Sequence, residues 1–155
     1  MKIYKLIIIV FLLTSIGLCA QSSYEITDPV QSEGWTNNAE KVFNNSKENG
    51  NPILLNFTGS DWCVWCKKIK KEIFDTPEFK EWVKNNNVEL LELDFPKRIS
   101  QSQELKSQNV SLAREMGVRG YPTIIIIANG KAVKTGYVKG GPENWIKSVE
   151  SQIDL

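Results

Sequence analysis

Apolar positions along the chain change their period several times, and each change marks an element. Trp35, Ala39, Val42 and Phe43 recur at helical spacing, which predicts a helix over 35–47 with Gly50 as its C-terminal stop. Asn51-Pro52 turns the chain into Ile53–Thr58, an apolar run that reads as a buried strand. Ile69, Ile73 and Phe74 line one face of a helix beginning near Cys63. Thr76-Pro77 restarts the chain with a capping hydroxyl and a proline at the first helical position, and Phe79, Trp82 and Val83 form the apolar face of a helix over 78–85. Residues 88–95 are mostly apolar and read as a central strand ended by Pro96. The stretch 97–108 is polar, and part of it becomes helix leading into 110–116, stopped by Gly117; its charges read as a solvated face.

Four consecutive isoleucines make 123–128 a β-branched buried strand. Asn129-Gly130 is a strong hairpin signal, so 131–138 is the antiparallel partner. Gly140-Gly141-Pro142 breaks the chain before a last helix over 142–153, with Trp145, Ile146, Val149 and Ile153 at helical spacing. The fold class is α/β: a mixed sheet of about four strands, the first two parallel and the last two a hairpin, with helices on both faces. Phe79 and Trp82 read as core rather than as a ligand site.

Residues 1–20 have the pattern of a secretory signal peptide. Lys2 and Lys5 precede the apolar run Leu6–Leu13 and a small-residue end at Ala20. The run is too short to span a bilayer easily, although a retained anchor is the alternative. A lipid-bearing Cys19 is a third option, which the bulky Leu18 before it disfavours. Cleavage near Ala20 leaves an extended polar lead-in over 21–34 and one domain over 35–155. Export places the protein in the periplasm or outside the cell, where a disulfide persists.

Composition narrows the chemistry. The 155 residues carry a formal net charge of +1, which points to no nucleic acid or acidic partner. There is no histidine, so His-based acid–base catalysis is excluded. Three cysteines without histidine fall short of the usual four ligands of a structural zinc site or an iron–sulfur cluster. After export Cys63 and Cys66 remain. At a strand-to-helix junction the first thiol of such a pair faces the helix N-terminus, where a thiolate is favoured, and a thiolate is what attacks a disulfide. A structural disulfide and a metal site shared between molecules are the other readings; so short a ring removes little chain entropy.

At this point the residues resemble the thioredoxin family. Trp62-Cys63-Val64-Trp65-Cys66 is similar to its Trp-Cys-x-x-Cys motif, and Val118-Arg119-Gly120-Tyr121-Pro122-Thr123 to the segment holding its cis-proline. Gly59-Ser60-Asp61-Trp62 and Phe74-Asp75-Thr76-Pro77-Glu78-Phe79 are similar to exported bacterial, disulfide-isomerase-like members. The resemblance covers 35–153. It implies that Cys63 attacks, Cys66 resolves, and Pro122 presents the Tyr121 backbone to a client strand, with Trp62, Val64 and Trp65 around the pair.

Three departures stand out. Val64-Trp65 matches neither the reductant nor the oxidant dipeptide, so it does not fix the direction of transfer. Asn56 stands where the family has a buried acid that takes the inner thiol's proton, and Leu90 where that acid has a lysine partner. An amide cannot titrate, which leaves water, Glu92 or Asp61 as proton acceptor. The segment 96–117 is longer than in the minimal fold.

The expected function is an exported thiol–disulfide oxidoreductase, reductase or isomerase, acting on protein disulfides as a monomer. It needs no metal and no cofactor beyond the cysteine pair, and a membrane or periplasmic thiol donor recycles it. The alternatives are a peptide-binding chaperone or adaptor with a structural Cys63–Cys66 bond, and a reductase dedicated to one metal- or heme-delivery client.

Overall fold

A computed structural model describes residues 28–30 and 32–155. The signal-peptide reading, Cys19 and Ala20 lie outside the described residues. Four strands, β1 (Ile53–Thr58), β2 (Glu89–Asp94), β3 (Thr123–Ala128) and β4 (Lys131–Thr135), form one sheet in the order β2-β1-β3-β4. β1 pairs parallel with β2 and antiparallel with β3, and β3 and β4 form the Asn129-Gly130 hairpin. Asn129 and Gly130 both have positive φ, as a tight hairpin turn requires.

Among the described residues five α-helices cover the sheet: α1 (Ala39–Asn49), α2 (Val64–Ile69), α3 (Pro77–Asn85), α4 (Gln103–Glu115) and α5 (Gly141–Glu150). All six residues of β1 are buried, because both of its faces are covered. On one face Ile53, Leu55, Phe57, Leu91, Leu93 and Ile125 pack with Ala39 and Val42 of α1 and with Leu112 and Ala113 of α4. On the other, Leu54, Ile124, Ile126 and Val133 meet an aromatic cluster from α3, α5 and the region after α2. Trp145 is fully buried there, edge-on to Phe74, Phe79 and Trp82. Its indole donates to the Gly136 carbonyl at 3.1 Å. Phe79 and Trp82 are core, as their spacing indicated.

The structure differs from the sequence reading in several places. Trp35 lies outside α1: Asn38 caps that helix by accepting from the Lys41 N–H at 2.9 Å, and Thr36 forms a parallel bridge to Leu91. The lead-in is not simply extended. Glu33-Gly34 turns, and Ser32 is buried against β2. β2 is an edge strand, not a central one; its apolar character reflects layers on both faces and the Thr36 bridge along its outer edge. β4 stops at Thr135, because the Gly136 carbonyl is turned to Trp145. α2 widens into a π-helical turn over Lys70–Phe74, closed by Asp75 N–H donating to the Lys70 carbonyl at 2.9 Å. That wider turn lets Ile69, Ile73 and Phe74 all face the core.

Replacing Trp145 with alanine removes a fully enclosed ring and a satisfied indole donor. The expected loss is about 3–5 kcal/mol, read from urea unfolding.

Candidate active site

The cysteines sit where β1 hands over to α2. Cys63 is the residue before the helix, in extended conformation, and Cys66 lies one turn inside. They form a disulfide with Cα atoms 5.2 Å apart, and the Cys66 N–H points to Cys63 Sγ at 3.1 Å. That donor favours charge on Cys63 when the bond opens. Both sulfurs belong to largely enclosed residues, Cys63 at 6% and Cys66 at 2% exposure. The residues between them are the opposite: Val64 is 75% exposed and Trp65 56%.

Trp62 is anchored rather than displayed. Its indole donates to the Phe95 carbonyl at 2.8 Å and lies across Gly59, where a Cβ would fall 2.5 Å from the ring. The ring meets Tyr121 edge-on at 5.9 Å, and Tyr121 in turn packs on Phe95 at 5.0 Å. The Tyr121–Pro122 peptide is cis. Trp62 and Tyr121 therefore join the motif loop to the loop carrying Pro122. Trp65 leans on Tyr137, whose hydroxyl donates to Glu72 at 2.6 Å, and Glu72 also pairs with Lys68.

Beneath the pair, β1 and β2 change character along one face. Leu54 and Leu90 belong to the apolar core, but Asn56 with Glu92 and Thr58 with Asp94 follow at the next register positions. All four are buried polar side chains. A cleft of about 180 Å³ opens here, lined by Asn56, Thr58, Ser60, Cys66, Lys67, Lys70, Glu92, Ser32 and Ile99. Of the three proton-transfer candidates, the structure brings Asn56 and Glu92 together with Cys66. Asp61 is engaged elsewhere: its carboxylate accepts from the backbone N–H groups of Lys97, at 3.0 Å, and Arg98.

A family model described as a thioredoxin-like domain matches residues 39–151. The chain belongs to the thioredoxin-like domain family. It is 35% identical over 123 residues to the disulfide bond reductase DsbH of Chlamydia pneumoniae, spanning 78% of this chain and 73% of that one. It is 30% identical over 125 residues to the thioredoxin-related protein DsbJ of the same organism, spanning 81% of this chain but 35% of the relative. Among solved structures, the DsbH oxidoreductase superposes with a TM-score of 0.69 at 30% identity, covering 83% of this chain and 93% of that one. The oxidised C-terminal domain of DsbD from Neisseria meningitidis shares the fold, with a TM-score of 0.55 at 19% identity over 74% of this chain and 91% of that one. This thioredoxin-like domain is accordingly of the thiol–disulfide oxidoreductase kind, with a Cys-x-x-Cys disulfide in place.

Four contacts at the thioredoxin-like site are invisible in the sequence reading. Lys97, read as part of a solvated face, has Nζ 4.2 Å from the centre of the Trp62 ring. Phe95 receives the Trp62 indole. Ser60 donates to Asp94 through its N–H at 2.8 Å and through its hydroxyl. Ser32 donates to Glu92 Oε2 at 2.6 Å across sixty positions of chain. Each is an ordinary residue whose partner is far away along the chain, so no local pattern marks it.

The two aspartates flanking the motif are shifted in opposite directions. The Lys97 backbone N–H, followed by other loop amides, holds Asp61 below the usual carboxylate value. Burial raises Asp94, against the opposing hydrogen bonds from Ser60. A raised carboxyl contributes stability below its unfolded pKa and loses it as pH climbs through the folded value. Asp94→Asn should therefore gain on the parent as pH rises from about 4 toward neutrality. Urea midpoints of both proteins across that range check this; a difference that stays flat contradicts it. Asp61 acts with the opposite sign, supporting the fold at neutral pH and ceasing to do so on acidification.

Proposed function

We propose that the protein is an exported reductase of protein disulfides. The observation that carries the reading is the bonded Cys63–Cys66 pair at the start of α2, with apolar Val64 and Trp65 exposed beside it. Similarity to a disulfide bond reductase supports the direction. In the cycle, the Cys63 thiolate attacks one sulfur of a client disulfide and expels the other as a thiolate, which takes a proton from water. Cys66 then attacks Cys63 Sγ in the mixed disulfide. The client leaves with its second thiol, and two electrons have passed from the pair to the client.

Trp62, Tyr121 and cis-Pro122 form one wall for an extended client strand, and Val64 with Trp65 the other. The oxidised pair is recycled by a thiol donor in or near the membrane. Relatives named thiol:disulfide interchange protein DsbD are 27–33% identical over 49–75% of this chain, which supports a partner of that chemistry. Export rests on the pattern of residues 1–20. Among the described residues no helix is long and apolar enough to cross a membrane.

Insulin reduction by the full chain tests the activity. Cys63→Ser should abolish turnover, whereas Cys66→Ser should accumulate client mixed disulfides seen on non-reducing gels. Trapping by Cys63→Ser alone reverses the roles. Absence of turnover and trapping in all forms leaves a binding module with a structural disulfide.

Trp65→Ala separates docking from chemistry. It should raise the apparent KM for a protein disulfide by about fivefold, much more than it slows reaction with a small aromatic disulfide. Equal effects on both would remove Trp65 from the docking surface.

A further inference from the structure

We infer that Glu92, working through water in the cleft under the disulfide, accepts the Cys66 proton during resolution, and that Ser32 of the lead-in positions it. The inference rests on the disulfide-exchange reading above. A buried polar cleft beneath the inner sulfur is lined by a carboxyl group, that of Glu92, and by an amide oxygen, that of Asn56, with no partner among the described residues.

Asn56 is 5% exposed, and its Oδ1 has no hydrogen-bond partner among the described residues. A buried amide oxygen in this position calls for a donor, and a polar cleft of about 180 Å³ has room for water to supply it. Glu92 is the register partner of Asn56 on the neighbouring strand and is 3% exposed. Strand spacing sets its backbone about 4.8 Å further out, a span that one water and the side chain bridge.

Other charges face the same space. Lys67 and Lys70 line the cleft from α2 and the π-helical turn, but their ammonium groups are engaged with other partners: Lys67 Nζ donates to the Asp61 carbonyl at 2.9 Å, and Lys70 Nζ pairs with Asp75 at 2.6 Å. Asp94 lies two residues further along the same face of β2, held by Ser60, and opposes the ionised form of a carboxyl there. Asp28 lines the adjoining pocket with Glu92, its carboxylate accepting from the Ser102 N–H. Ser32 donates directly to Glu92 Oε2. Ser32 thus lines the cleft and fixes the Glu92 carboxyl group in it.

The step balances without a further reagent. In the mixed disulfide, the Cys66 S–H proton passes through cleft water to the Glu92 carboxylate as Cys66 Sγ bonds to Cys63 Sγ. The Cys63–client S–S bond breaks, and its electron pair leaves with the client sulfur, which is protonated from solvent. Glu92 then returns its proton to water.

The test mixes the reduced full chain with dithiobis-nitrobenzoate in a stopped-flow instrument across pH. Attack by Cys63 releases one coloured thiolate and resolution by Cys66 a second, so each trace carries its own reference. Glu92→Gln keeps the acceptor oxygen for Ser32 but cannot titrate. It should slow the second release relative to the first by about tenfold near neutral pH, and replace the low-pH shoulder of that step with a simple rise with hydroxide. Adding Asn56→Asp to Glu92→Gln should restore the shoulder by placing an acid on the facing strand. Ser32→Ala should move it about one pH unit upward, because a donor to the carboxylate is lost.

An unchanged second-step profile in Glu92→Gln overturns the inference, including the case where only its melting temperature falls. If Glu92→Gln does not fold, an unmoved profile in Ser32→Ala overturns it instead. Absence of the first release in the parent protein would refute the exchange reading itself.

Discussion

A disulfide spanning a single helical turn has only a narrow line of attack. Cys66 is sealed on the inner side of α2, and Cys63 is only 6% exposed. An incoming sulfur has to approach along the S–S axis, so what surrounds Cys63 decides what reacts. The fold fixes those surroundings through Trp62. Its indole is clamped over Gly59, tied to the Phe95 carbonyl, and packed against Tyr121. One side chain thereby holds three loops in register: the motif, the end of β2, and the Tyr121–Pro122 turn. Ser60 and Asp61 reinforce the same junction by binding Asp94 and the amides after Pro96.

The sheet below has a conflicting requirement. Its centre must be apolar to hold helices on both faces, yet the inner sulfur must lose and regain a proton. The conflict is resolved along the strand direction. Leu54, Leu90, Ile124 and Ile126 serve the aromatic core, and on β1 and β2 the same face becomes Asn56 and Glu92 two residues later. Buried polar groups at that end are held by distant elements. Asn109 of α4 donates to the Asp94 carbonyl at 2.9 Å, and Ser32 donates to Glu92. Removing a partner would leave buried polar atoms exposed to desolvation without compensation.

The readily legible parts of the sequence were those set by neighbours in the chain. The cysteine pair after an apolar run, the Thr76-Pro77 cap, the isoleucine strand and the Asn129-Gly130 hairpin all follow from local spacing, and all stand in the structure. Asn56 and Glu92 were legible as candidates but not as neighbours, since register between strands cannot be read from one strand. Trp35 looked helical because its spacing fits, whereas Asn38 and the Thr36 bridge decided where α1 begins. Gln108 illustrates the remainder. It accepts from the Ala39 N–H at 3.0 Å and donates to the Asn37 carbonyl at 2.8 Å, joining α4 to the start of α1. Nothing in a polar helix marks one glutamine for that task.

The neutral residue at position 56 and the acid at position 92 are better understood together. β1 lies between β2 and β3 with helical layers on both faces, so a carboxylate at 56 would sit deep and need a counter-charge. Leu90 provides none; it packs into the aromatic core. At 92 the acid lies on the edge strand and accepts from the Ser32 hydroxyl. The acid stands where the fold offers it a polar partner. Asn56 keeps the inner position as an amide, which carries donors and an acceptor but does not titrate. Ser32, before the first helix, supplies the hydroxyl that holds the acid there.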